Sequence, residues 1–204
     1  MSYHQPLEVT GFHSCDRELG MRLLNGVDEL RPSNNSWDWL GPGIYFWEQN
    51  PIRALEYAIE SSTRKQFNKI PIRIPFVIGA IIELGNCLNL IEPESLEILK
   101  RAYFGLSRIY EEVGKALPKN ENENRKLDSA VFKHLHKSRS DNLSPPFDTI
   151  RCAFNEGDPI YPGANFTVRL HMEISVLNHK MIHGYYLPYP LEKYNPYLKE
   201  DNPN

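Results

Sequence analysis

The sequence predicts an α+β fold in a single domain, on three observations. Runs with strand-like alternation and runs with helical spacing are both present. They are mixed without regular βαβ alternation. No repeat, linker or composition break divides the 204 residues. Hydrophobic residues at 41% and charged residues at 24% are ordinary globular values, so a packed core is expected.

Leu7 to Phe12 reads as the first strand and ends in His13-Ser14-Cys15-Asp16. Arg17 to Leu24 follows as a short helix with Leu19, Leu23 and Leu24 on one face, stopped by Asn25-Gly26 because glycine suits a helix end. Residues 31 to 36 are a polar loop. The stretch from Trp37 to Trp47 holds all three tryptophans, read here as packing residues, and a Gly41-Pro42-Gly43 turn. Ile44 to Trp47 are β-branched and aromatic and enter a second strand. Asn50 caps a helix that begins at Pro51 and turns Ala54, Tyr57 and Ala58 inward.

Ile72 to Leu84, broken by Pro75 and Gly79, reads as a central buried strand. Pro93 to Leu117 is the longest helix: Leu99, Ala102, Leu106, Ile109, Val113 and Leu117 recur at helical spacing, and Glu92, Glu94 and Glu97 favour its start. Residues 118 to 127 read as a polar, mobile loop. Asp128 to Lys137 reads as a further helix with His134 and His136 at the surface. Thr149 to Phe154 is a strand, and Asn155 to Thr167 a loop carrying Glu156, Tyr161 and Phe166. Val168 to Leu177 and Met181 to Leu187 are the last strands. The tail from Pro188 wraps the domain or frays.

A net charge of -3 and a pI of about 6.2 give no basic surface suited to tracking nucleic acid or an anionic membrane. Cys15, Cys87 and Cys152 are odd in number and lack metal-ligand spacing, so neither a disulfide framework nor a metal is expected. The first residues show no basic region followed by an apolar run, and no stretch approaches the apolar length of a membrane helix. A soluble cytoplasmic protein with no membrane partner is the expectation.

Three separated pieces of the chain carry a resemblance. Phe12-His13-Ser14-Cys15 ends the first strand, Gly41-Pro42-Gly43-Ile44-Tyr45-Phe46 opens the second, and Glu173-Ile174-Ser175-Val176-Leu177 forms a late one. This order and spacing resembles the ADP-ribosyltransferases with a His-Tyr-Glu triad, the branch that includes the poly(ADP-ribose) polymerases. The likeness spans roughly residues 7 to 60 and 149 to 187, with residues 93 to 140 as a helical insertion. Two departures stand out. The family's His-Gly-Ser is His13-Ser14-Cys15 here, and the second ring-stacking tyrosine, Tyr57, is about one position out of register.

The resemblance implies two packed mixed or antiparallel sheets with flanking helices. It implies NAD as co-substrate, no metal, and transfer of a single ADP-ribose to a macromolecular acceptor, protein or nucleic acid, with nicotinamide released. By the same resemblance His13 orients a ribose hydroxyl, Tyr45 stacks on nicotinamide and Glu173 stabilises an oxocarbenium-like ribose. Ser14 through its backbone, Cys15, Gly43 and Tyr57 are further NAD contacts, and Arg31 pairs with the diphosphate. Glu156 competes with Glu173 for the carboxylate role or, with Tyr161, faces the acceptor. Two alternatives stay open: water as acceptor, giving an NAD glycohydrolase, and a catalytically degenerate module that binds NAD or ADP-ribose. Acceptor and oligomeric state are not legible.

Overall fold

A computed structural model of the chain describes residues 7–63, 72–121 and 124–199. Strand β1 (Glu8–Asp16) ends where the Asp16 carboxylate accepts a hydrogen bond from Glu18 N at 3.1 Å and caps α1 (Arg17–Leu24). Strand β2 (Ile44–Glu48) feeds α2 (Pro51–Thr63), whose cap is the expected Asn50, accepting from Arg53 N at 3.0 Å. Next come β3 (Pro75–Glu83), β4 (Cys87–Asn89), α3 (Pro93–Glu112), the two-residue strands β5 (Asn120–Glu121) and β6 (Asn124–Arg125), and α4 (Lys126–Asp141). Then follow β7 (Thr149–Pro159), β8 (Thr167–Val176), a 3-10 turn (His179–Met181), β9 (Ile182–Tyr186) and α5 (Leu191–Tyr194).

Seven strands form one mixed sheet in the order β4-β7-β8-β2-β1-β3-β9, and β5 pairs with β6 separately. Among the described residues only β4 against β7 is parallel. The architecture is α+β, but the seven strands are hydrogen-bonded into one sheet where two packed sheets were expected. The join is narrow. Strands β1 and β2 pair only through Gly11↔Glu48 and Phe12↔Trp47, whereas β1 runs against β3 as far as Asp16↔Pro75. The strand β2 is held on its other side by β8, from Ile44↔Val176 to Trp47↔Glu173.

Paired residues share a sheet face, and successive residues alternate between faces. One face carries Phe12, Trp47 and Val77, covered by Ala54 and Leu55 of α2. Further along it, Leu88 and Ile150 are covered by Ala102 and Leu106 of α3 and Val131, Phe132 and Leu135 of α4. The opposite face, with Phe46, Phe76, Ile78, Ile174 and Val176, packs on Leu23 of α1 and on Leu30. Helices therefore cover both ends of the first face, with β2 and β8 between them, where Trp47 packs under α2 and Tyr45 against the α3–α4 cluster.

Several boundaries differ from the sequence reading. Helix α3 stops at Glu112 because Gly114 turns left-handed (φ 64°) and Lys115 N bonds back to Tyr110 O at 2.9 Å. Residues 118 to 127, read as a mobile loop, contain β5, β6 and the first two residues of α4, with residues 122–123 outside the described ones. His134 and His136 are half-buried rather than superficial, and burial lowers the His136 pKa. The tail wraps. Asn195, 2% exposed, accepts from Val77 N at 2.7 Å and donates to Val77 O at 3.0 Å. Among the described residues no helix is long and apolar enough to cross a membrane.

Candidate functional site

His13, Tyr45 and Glu173 fall on β1, β2 and β8, three neighbouring strands of the sheet. The pairs Tyr45↔Ser175 and Trp47↔Glu173 put Tyr45 and Glu173 on one face. His13 follows Phe12, whose partner is Trp47, so it turns to the other face, where its ring lies 5.6 Å from that of Phe46. What joins it to Tyr45 is the backbone: His13 Nδ1 donates to Tyr45 O at 2.8 Å, just past the point where the β1–β2 ladder ends. Burial, the larger effect, lowers the His13 pKa, and the Tyr45 carbonyl opposes it. The ring is therefore neutral at pH 7, with Nδ1 protonated and Nε2 left as an acceptor.

The Tyr45 hydroxyl donates to Gly41 O at 2.5 Å and accepts from Leu40 N at 3.0 Å, so the turn before β2 clamps the ring. Burial, helped by the charge of Asp38, raises its pKa and keeps it a phenol. Gly43 is bonded both ways to Ser33, and a Cβ on it would lie 2.0 Å from Ser175 Oγ. The close approach of β8 is what requires glycine there.

Both carboxylates that compete for the central role touch the same histidine. His171 has no exposed side-chain surface; its Nε2 lies 3.1 Å from Glu173 Oε1, and its Nδ1 lies 2.7 Å from Arg169 O and 3.7 Å from Glu156 Oε2. Glu156 was expected on a loop, but β7 continues to Pro159 and pairs it with Arg169, so it is a strand residue on the Glu173 face. Glu156 Oε2 is also 3.5 Å from Arg53 Nη2 of α2, whose side chain is 8% exposed. The guanidinium stands 5.8 Å from the centre of the Trp47 ring. Arg53 Nε and Nη1 and Trp47 Nε1 are buried without a hydrogen-bond acceptor among the described residues, Nη1 standing 3.8 Å from Glu56 Oε2. Tyr57, 41% exposed, covers Trp47 at 5.1 Å between ring centres.

His171 and Arg53 escaped the sequence reading. The signal for His171 was its place two residues before Glu173 in a strand, which puts both on one face. Arg53 carried no such mark.

The remaining residues are less central. Ser14 is buried, and its hydroxyl donates to Ala54 O in α2. The Cys15 side chain was expected to contact NAD; strand alternation instead turns it into the core beside α1, away from Glu173. Burial there, with the charge of Asp16, pushes its thiol up to about 12. Arg31 is exposed, before the Ser33–Gly43 bridge. Tyr161, 57% exposed, sits at the hairpin tip beyond the Pro159↔Thr167 pair, apart from Glu156. On the opposite face Glu48 and Arg151 form a half-buried two-pronged ion pair at 2.5 and 2.9 Å. Among the described residues no cluster of three or more His, Cys, Asp or Glu could hold a metal.

The arrangement offers a neutral histidine at a strand seam, a clamped aromatic ring, and two carboxylates on one buried imidazole beside under-bonded N–H donors. No family model, curated protein or solved structure matches the chain.

Proposed function

We propose that the chain is an NAD-dependent ADP-ribosyltransferase of the His-Tyr-Glu type, which releases nicotinamide and moves a single ADP-ribose to a macromolecular acceptor. The observation that carries this reading is the placement of His13, Tyr45 and Glu173, distant in sequence, on three adjacent strands, with Tyr45 and Glu173 on one face and His13 bonded to the Tyr45 carbonyl at the short β1–β2 seam. On this reading the β9-β3-β1 and β2-β8-β7-β4 halves correspond to the two sheets of an ADP-ribosyltransferase-like fold.

The chemistry asks for few groups. Past Phe12 the β1 backbone leaves the β2 ladder, so the Ser14 peptide offers an edge to the nicotinamide amide. The Tyr45 ring supplies a π-face for a cationic ring. His13 Nε2, as a neutral acceptor, takes the hydrogen of a ribose hydroxyl. As the C–N bond to nicotinamide breaks, its electron pair neutralises the ring nitrogen and positive charge moves to the ribose. A carboxylate at Glu173 stabilises that charge, by about 4 kcal/mol for a pair at about 4 Å and an effective dielectric constant of about 20. The N–H groups of Arg53 Nε and Trp47 Nε1, which have no hydrogen-bond partner among the described residues, support the reading, because buried donors without acceptors are costly and a ligand bearing oxygens would pair them.

Binding without turnover is the second reading, favoured by the core position of the Cys15 thiol. Nicotinamide release and transfer of label from NAD to macromolecules in cell extract separate the two. Transfer is expected, with Glu173→Gln lowering it on the order of a hundredfold or more. Undiminished transfer by that variant removes Glu173 from the mechanism. NAD consumption without labelled macromolecules makes water the acceptor, and NAD binding with no nicotinamide released leaves only the module.

A further inference from the structure

His171 takes no part in the proposed transfer, yet both candidate carboxylates converge on it. A carbonyl oxygen only accepts, so Nδ1, 2.7 Å from Arg169 O, carries hydrogen. In a neutral ring Nε2 would then be a bare lone pair, aimed at the lone pairs of a carboxylate 3.1 Å away. That contact is repulsive unless a proton lies in it. The pair is thus imidazolium with carboxylate, or imidazole with carboxylic acid. Either form holds one proton more than a neutral imidazole beside an ionised Glu173.

The surroundings favour the charged form. Strand β8 presents Glu173 and the Arg169 carbonyl, and β7 presents Glu156 at 3.7 Å and the Phe154 ring at 6.0 Å. Helix α2 contributes Arg53 only through Glu156, at 3.5 Å. Burial, the largest single influence, disfavours protonation. The hydrogen bonds to Glu173 and Arg169, with the charges of Glu173 and Glu156, outweigh it and raise the His171 pKa above the ordinary histidine value.

We propose that His171 is a positioning residue that shares a proton with Glu173 in the resting protein and holds that carboxylate charged and oriented on the β2–β8 strip. The shared proton stands independently of the transferase reading; its effect on rate rests on that reading. Loss of the proton at higher pH brings two lone pairs together and turns the carboxylate away. Nicotinamide release therefore falls as pH rises through the His171 pKa.

Imidazole nitrogen NMR on the full chain, at a series of pH values, tests the shared proton directly. The signal missing from His171→Gln identifies the residue. Both its nitrogens are expected to be protonated at neutral pH, titrating above the ordinary histidine value. Glu173→Gln should move that titration downward, since burial then dominates, and Glu156→Gln should move it less. A neutral His171 at pH 7 in the unaltered protein overturns the proposal without any variant, as does a titration unmoved by Glu173→Gln in a protein whose amide spectrum stays native.

Nicotinamide release against pH then tests the role. The unaltered protein should lose about tenfold per pH unit above the His171 titration, while His171→Gln, which donates to Glu173 but does not titrate, should stay flat there. Equal profiles overturn the positioning role and leave the transferase reading intact. If no nicotinamide is released although His171 titrates as stated, the transferase reading fails and the shared proton stands.

Discussion

A Cβ on Gly43 would meet Ser175 Oγ at 2.0 Å and Val176 O at 3.2 Å, so alanine there must push β8 away from the turn that leads into Tyr45. Gly43→Ala is expected to destabilise by about 1–3 kcal/mol, the usual cost of overpacking. Ser175→Ala should recover part of the loss, because its oxygen is the nearest obstacle but not the sole one. Urea midpoints of both single variants and the double variant measure the coupling, and plain additivity would rule out this clash. A turn glycine was legible in the sequence, but its reason was not, because that reason sits on a strand far along the chain. The same holds for His171. Its spacing to Glu173 is local, yet it gains meaning only from Glu156, and that meeting depends on the β7–β8 register, with Phe154↔His171 and Glu156↔Arg169. Tyr45 and Glu173 are singled out by the order and spacing of three separated pieces of the sequence, with Glu156 as a competitor, whereas the groups that hold them are not.

Among the elements, the helix starts were the most legible, because their chemistry is local. Asn50 before Pro51 caps α2 as its residue types suggest, and Pro93 opens α3. The end of α3 was read too far, since Val113 and Leu117 keep the apolar spacing past the glycine that breaks the helix. Strand β4 spans three residues and shows no period; its parallel partner β7 alone makes it a strand. The outer half of β7 is polar and contains Gly157, so it reads as loop until β8 lies beside it. The tail shows how one side chain can decide an element's fate. Asn195 satisfies both the N–H and the C=O of Val77 in the buried edge of β3. Asn195→Ala strands both, and a loss of about 2–3 kcal/mol is expected. A broad-specificity protease should then cut after residue 187 much faster than in the unaltered chain. Equal cutting rates would show that the tail is held by something else.

For the molecule as a whole, one sheet face carries a strip of charge between two helical covers, and three buried or half-buried histidines answer pH in opposite directions. Burial lowers the pKa of His13 and His136, so the folded chain resists protonating them. Their contribution to stability is complete above the ordinary histidine value of about 6.5 and is lost as pH falls from there towards their lowered values. His171 is the reverse. Although burial opposes it, its hydrogen bonds and the two carboxylates raise its pKa. Its contribution is complete below the ordinary value and is lost as pH rises through the raised one. The two trends meet, so stability should peak near the ordinary histidine value, declining on both sides. Urea midpoints taken from about pH 5 to 9 would show the dome. His136→Leu should weaken only the acid limb, to which His13 also contributes, and His171→Gln should flatten only the alkaline one, because the residues lie on different elements. A midpoint that climbs steadily across the whole range would mean that His171 gains no proton on folding.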